Sequence, residues 1–169
     1  MPVQRLNHAV LFVRDVERSV AFYQEALGFR TVMGMPGAAF LQASGSSNDH
    51  DLGLFEVGAQ AGPTGAGRST VGLYHLAWEV DTLAELERIA LKLGELNALV
   101  GASDHSTTKA LYAKDPDGLE FEVSWLVPAD LLTEETLNGR SRIKPLDIAR
   151  EKERYGAETR GGLGVSIPA

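Results

Sequence analysis

Two histidines, two glutamates and an internal repeat set the chemistry open to this sequence. The stretch Leu111 to Trp125, LYAKDPDGLEFEVSW, turns at Asp115-Pro116-Asp117-Gly118 and then alternates as a strand does. Leu119, Phe121 and Val123 fall on one face of that strand, Glu120 and Glu122 on the other. Carboxylates on one strand face are ordinarily a solvated face. Here they are matched elsewhere in the chain. Leu6-Asn7-His8-Ala9 corresponds to Leu73-Tyr74-His75-Leu76, and Asp49, Asp51, Phe55, Glu56 and Val57 correspond to Asp115, Asp117, Phe121, Glu122 and Val123. The offset is 67 residues for the histidines and 66 for the glutamates. Each copy therefore offers one His on its first strand and one Glu on its last. Two imidazoles and one carboxylate make a facial triad that favours Fe(II) and leaves room for a chelating substrate and dioxygen. With both carboxylates the site is fuller and suits a Lewis-acid metal such as Zn, Ni or Mn.

The elements that must position these groups follow one order twice. Leu6 to Val13 reads as a strand; Asp15 caps a helix carrying Val16, Val20, Tyr23 and Leu27 at helical spacing, and Gly28 releases it. Strands are expected at Phe29 to Met33, Ala39 to Ala43 and Asp51 to Val57. The second copy has a strand at Leu73 to Val80 and a capping box of Thr82 with Glu85. Its helical stripe of Leu83, Leu86, Ile89, Ala90 and Leu93 ends at Gly94. Strands at Ala98 to Ala102, Thr107 to Ala113 and Leu119 to Leu126 complete it. A period this long suggests two copies of one supersecondary unit about a pseudo-twofold axis rather than a solenoid.

The composition is that of an ordinary soluble globular protein. At 169 residues the chain suits one sizeable core or two small units sharing one. A net charge of -7 disfavours nucleic acid, and no stretch approaches the roughly 18 apolar residues of a membrane span. The chain has no cysteine, so disulfides, thiolate nucleophiles and cysteine-bound metals are excluded, and a cytoplasmic location is expected.

The segments LNHAVLFVRDVERSVAFYQEALGF, YHLAWEV and YAKDPDGLEFEVSW resemble the vicinal oxygen chelate superfamily. That superfamily includes glyoxalase I, fosfomycin-resistance proteins, methylmalonyl-CoA epimerase, bleomycin-resistance proteins and extradiol ring-cleavage dioxygenases. The resemblance covers roughly residues 4 to 127 and implies an α+β fold of two paired βαβββ modules, about 4–58 and 70–127. Their curved mixed sheets would enclose a metal-binding cavity, with His8, His75 and Glu122 as ligands. His50, in NDHDLGL, is similar to the acid/base histidine of extradiol dioxygenases. His105 and Tyr112, in SDHSTTKALYAKDPDG, are similar to the His and Tyr that hydrogen-bond the catechol. This likeness implies a catechol 2,3-dioxygenase-like enzyme of aromatic catabolism. It would use Fe(II), or alternatively Mn, Zn or Ni, to insert both atoms of O2 into a small aromatic diol. His50 would take and return a proton, typically a contribution of roughly 10²- to 10⁴-fold, and Tyr112 would stabilise a developing oxyanion. Relatives commonly dimerise, so a homodimer is expected.

Two other readings stay open. A glyoxalase-like or epimerase-like Lewis-acid enzyme would use Glu56 as a fourth ligand, and a metal-free protein would only sequester an aromatic molecule or antibiotic. On one regular strand His50 and Glu56 would lie about 20 Å apart at ~3.3 Å per residue. Both could not then reach one metal, and His50 is preferred. Gly62 to Ser69, GPTGAGRS, lacks the following helix of a phosphate loop and reads as a link. Trp78 and Trp125 are expected in a cavity wall or core, and Tyr23 in the core under its helix. Residues 128–169 form a C-terminal extension, with short helices expected at Pro128 to Asn138 and Pro145 to Tyr155. The extended tail from Gly156 is either a mobile terminus or a clasp over the cavity or a second subunit.

Overall fold

The computed structural model describes residues 2–3, 5–66 and 69–162. Gly67 and Arg68 of the expected link, and residues 163–169 of the expected tail, lie outside the described residues. The fold is α+β with two sheets. By contacts the chain forms two compact units, one of Met1–Thr64 with Asp115–Gly118, the other of Gly65–Lys114 with Leu119–Ala169.

In the first unit the order is β1 (Ala9–Val13), α1 (Val16–Leu27), β2 (Arg30–Met35), β3 (Ala38–Gln42) and β4 (Leu52–Glu56). The sheet order is β1-β4-β3-β2, with β1 parallel to β4 and the other pairs antiparallel. Asp15 caps α1 by accepting the Arg18 N–H at 2.9 Å, and Gly28 ends it at φ +69°, a conformation that costs glycine little. The core is built from Leu11, Val13, Leu41, Leu52 and Leu54 beneath Val16, Tyr23 and Ala26. The DPDG turn belongs here: Asp117 accepts the Arg14 backbone N–H at 2.9 Å and pairs with the guanidiniums of Arg14 at 2.9 Å and Arg18 at 2.7 Å. Tyr23 is buried as expected and donates its hydroxyl to Asp115 at 3.2 Å.

In the second unit the order is β5 (Leu76–Glu79), α2 (Leu83–Glu95), β6 (Leu99–Asp104), β7 (Thr108–Lys114) and β8 (Glu120–Leu126). Then come α3 (Glu134–Asn138), β9 (Lys144–Pro145) and α4 (Ile148–Tyr155). The sheet order is β5-β8-β7-β6-β9, with β5 parallel to β8. Leu83, Leu86, Ile89 and Leu93 of α2 are buried, as are Leu111, Phe121, Val123 and Trp125 of the sheet. Thr82 accepts the Glu85 N–H at 3.1 Å, but the Glu85 side chain pairs with Arg88 instead of closing the expected box. Gly94 lies inside α2, and the left-handed residue that follows the helix is Asn97 at φ +53°. Asparagine tolerates that region better than other side-chain-bearing residues.

The extension packs as part of the second unit. β9 pairs with the edge of β6 at Ser103 and Asp104, and Glu151 of α4 reaches Lys109 of β7 at 2.8 Å. The described start of the expected tail also has backbone partners: Gly161 N–H donates to Asp81 at 2.7 Å and Gly162 N–H to Leu126 at 3.2 Å. Among the described residues no helix is long and apolar enough to cross a membrane.

Candidate metal centre

Each histidine of the repeat stands one residue before the first strand of its unit, and strand register decides what lies beside it. In the second unit Leu76 pairs with Phe121 and Ala77 with Glu122, so Glu122 enters the sheet two positions beyond His75. In the first unit Ala9 pairs with Leu52 and Val10 with Gly53. The counterpart of Glu122 is therefore Gly53, not Glu56. The neighbouring strands agree, because Tyr112 pairs with Glu122 as Phe40 pairs with Gly53.

This register corrects the use of Glu56 as a fourth ligand. Glu56 shares the strand face of the buried Leu52 and Leu54, and its Oε2 accepts the Val16 N–H at the start of α1, at 3.1 Å. A carboxylate there satisfies one of the orphan donors of the helix and complements its dipole. His50 does not share that face. Strand β4 begins only at Leu52, and a bend before it turns the His50 ring onto Phe40, with centroids 5.0 Å apart, and onto His8, 4.5 Å apart.

The first unit thus brings His8 and His50 together. His8 Nδ1 lies 2.8 Å from Asn7 Oδ1 and His50 Nδ1 lies 2.9 Å from Asp49 Oδ2. An acceptor oxygen at Nδ1 calls for the proton there, which leaves Nε2 of each ring with its lone pair available.

The second unit brings together His75, Glu122, Tyr112 and His105. His75 Nε2 lies 3.2 Å from Glu122 Oε2, and both side chains are half-buried. Two donor atoms each about 2.1 Å from one metal and at right angles are roughly 3 Å apart, so this pair fits adjacent ligands of a divalent ion. The His75 Nδ1 is buried with no hydrogen-bond partner among the described residues, as the non-ligating nitrogen of a metal-binding imidazole would be before its outer shell is filled. Tyr112 OH lies 2.8 Å from His105 Nε2, and its ring centroid is 6.1 Å from that of His75. Burial raises the Tyr112 phenol above its ordinary value, and the charges of Glu122 and Tyr74 add to the rise. Among the described residues no three His, Asp or Glu side chains gather as a complete metal cage. His75 with Glu122 is thus a two-ligand pair, and His8 belongs to the first unit.

Sequence reasoning did not single out Tyr74, Asn7 or Phe40. Tyr74 and Asn7 precede the two repeat histidines, which is the one signal that pointed to them. Phe40 becomes visible only through the register with Gly53. Trp125 is core, fully buried. A groove of the first unit between α1 and the β2–β3 hairpin, lined by Val16, Val20, Ala21 and Met35, holds none of these site residues.

Known proteins bear on the same region. A catechol-2,3-dioxygenase of Bacillus subtilis (strain 168) is 33% identical over 118 residues, 70% of this chain and 40% of that protein. A lactoylglutathione lyase of Neisseria meningitidis (serogroup A) is 31% identical over 124 residues, 70% of this chain and 88% of that protein. Thus the chain spans less than half of the dioxygenase it matches and most of the lyase. Among solved structures, a glyoxylase/bleomycin resistance protein/dioxygenase domain from Frankia sp. EAN1pec has a TM-score of 0.59 at 20% identity, covering 73% of this chain and 92% of its own, a likeness of fold alone. The family model matching residues 5–123 places both βαβββ copies within one family, and the chain belongs to the Glyoxalase/Bleomycin resistance protein/Dioxygenase superfamily.

Proposed function

We propose that this chain is an extradiol-type ring-cleavage dioxygenase that takes a small aromatic diol and O2, with Fe(II) held by His8, His75 and Glu122. The observation that carries this reading is the His105–Tyr112 pair, 2.8 Å between Nε2 and the phenol, on the strand that places Tyr112 directly beside Glu122. A phenol oriented by an imidazole next to a His–Glu pair suits a bound diol, one of whose oxygens would accept the phenol's hydrogen. Similarity to the Bacillus subtilis catechol-2,3-dioxygenase supports the same substrate class.

When bound, a ferrous ion with two His and one carboxylate would supply redox chemistry and open positions for diol and dioxygen. The side chains do the rest. Tyr112, kept protonated by burial and by the Glu122 charge, donates a hydrogen bond to a substrate oxygen. His105 fixes the phenol's orientation. His50, tethered at Nδ1 by Asp49, presents Nε2 to accept a substrate proton and return it. Both atoms of O2 end in the product as the ring carbon–carbon bond beside the diol breaks, so no further reductant is consumed. The reading takes the protein as a cytoplasmic homodimer.

Lewis-acid chemistry of the lyase type is favoured by one observation, the match over 88% of the Neisseria meningitidis enzyme. It would have to proceed without Glu56, which is engaged at α1. The deciding experiment is oxygen uptake by protein reconstituted anaerobically with Fe(II) and given catechol and alkyl- or aryl-substituted catechols. Uptake with a ring-opened product, lost in His75→Ala, is the expected result. An occupied metal with no uptake on any catechol overturns it in favour of Lewis-acid chemistry, and failure to retain any divalent metal overturns both in favour of sequestration.

A further inference from the structure

The turn between β6 and β7 carries His105, and it is a costly turn. The Thr107 N–H donates to the His105 carbonyl at 2.9 Å across Ser106, whose φ is +70°. A three-residue turn with a positive φ at a side-chain-bearing centre is the rarer, strained form, and it persists only where its surroundings dictate it. Three contacts from the C-terminal extension supply those surroundings. Gly139 lies so close to Ser106 that a Cβ built on it would meet Ser106 Oγ at 2.5 Å and Cβ at 2.9 Å. Strand β9 pairs with Ser103 and Asp104, the two residues leading into the turn. Glu151 of α4 holds Lys109 at 2.8 Å, and Lys109, fully buried, donates to Asp104 Oδ1 at 2.6 Å. That same Oδ1 accepts the Ser106 N–H at 2.7 Å.

We infer that the extension is the positioning element for His105, and through it for Tyr112. Gly139, β9 and the Glu151–Lys109–Asp104 chain set the turn that aims the His105 ring at the Tyr112 hydroxyl. Gly139, Lys109 and Glu151 are positioning residues, not catalytic ones, because they act through His105. This rests on the proposed diol site for its functional meaning, and on the geometry alone for its structural meaning.

The test is made on the full chain labelled with 15N, reading the ring signals of its four histidines in Gly139→Ala and Glu151→Gln. Gly139 has φ -73°, so alanine is compatible with its backbone and acts by displacing Ser106. The expected result is a shift of the His105 signals with those of His8, His50 and His75 unmoved, in protein that still unfolds cooperatively. Unmoved His105 signals in the folded variants overturn the inference, and should Gly139→Ala fail to fold, Glu151→Gln decides. With a turned-over catechol, Gly139→Ala should lower kcat/KM by roughly tenfold to a hundredfold, as small misplacements do, and should have no effect in a His105→Ala background. An equal loss in both backgrounds shows a structural role only and overturns it. If the wild-type protein turns over no catechol, the diol reading fails and the histidine signals still decide this one.

Discussion

Gly53 holds in the first unit the register position that Glu122 holds in the second. Gly53 pairs with Val10, two residues beyond His8, as Glu122 pairs with Ala77, two residues beyond His75. The repeat thus keeps its backbone and drops one carboxylate. A Cβ at Gly53 would come within 3.3 Å of Val10 Cγ2, so a side chain here asks the valine to give by a few tenths of an ångström. The expected consequence is that Glu122→Gln loses bound divalent metal while Glu56→Gln retains it. The amide of that second variant keeps an oxygen able to accept the Val16 N–H, so it should cost only about 0.3–1 kcal/mol of stability, through the lost negative charge at the start of α1. Metal analysis after dialysis, beside urea melts of both variants, checks the pair; equal metal loss in the two would return Glu56 to the ligand set.

Acid should loosen the first unit through Asp117. Burial pushes its carboxyl up, but the Arg14 N–H, the Arg14 guanidinium and Arg18 outweigh this and hold it below the ordinary carboxylate value. A folded value below an unfolded one of about 3.9 gives stability that is fully present at neutral pH and is lost as pH falls through that value and below. Asp104 is lowered in the same sense, burial being outweighed by Lys109 and the Ser106 N–H. Asp117→Asn should therefore be the less stable chain near pH 7 and approach the parent only as pH falls below the unfolded value. Denaturant midpoints that stay the same distance apart across that range would contradict the assignment.

Lys109 is expected to be among the most sensitive positions for stability. It is fully buried between Asp104 at 2.6 Å and Glu151 at 2.8 Å. Lys109→Met strands two carboxylates with little access to water and should destabilise the chain by about 3–5 kcal/mol, as breaking other buried ion pairs does. Equilibrium unfolding in urea measures it directly, and a loss below about 1 kcal/mol would mean that water reaches the triad.

For the proposed reaction, His50→Phe and Tyr112→Phe should separate. The first should reduce kcat by roughly 10²-fold or more with metal content unchanged, since it removes the proton carrier. Tyr112→Phe removes a donor to the substrate and should act on kcat/KM by about 10- to 100-fold. Steady-state oxygen uptake distinguishes them; full turnover in His50→Phe would remove that residue from the mechanism.

The limits of the sequence are visible at particular residues. Asp15, Gly28 and Thr82 announced helix ends because capping is local chemistry, and the alternation of Leu119 to Val123 announced β8 because a half-buried strand has period two. The pairing of Glu56 with Glu122 failed because DLGLFEV and DGLEFEV match best by letter when slid three residues from their true register. Register is set by cross-strand hydrogen bonds, which a linear match does not contain. Asn97 was hidden for a related reason, since Gly94 is the more usual left-handed residue yet sits within the helix. The role of residues 139–162 was illegible because their partners, Ser106, Lys109 and Trp125, are distant in sequence and contributed by strands already assigned to another purpose.

Gly161 fits where a Cβ would stand 2.5 Å from both the Leu126 carbonyl and the Trp125 indole nitrogen, and the Thr159 carbonyl accepts that indole N–H at 3.2 Å. During synthesis the strands β7 and β8 leave the ribosome well before these residues do. Until then Trp125 lacks the cover of Tyr155, Gly161 and the Thr159 carbonyl, and Lys109 lacks one of its two counter-charges. The second unit therefore passes through a nascent stage in which sheet and helix α2 are available but the core is unsealed.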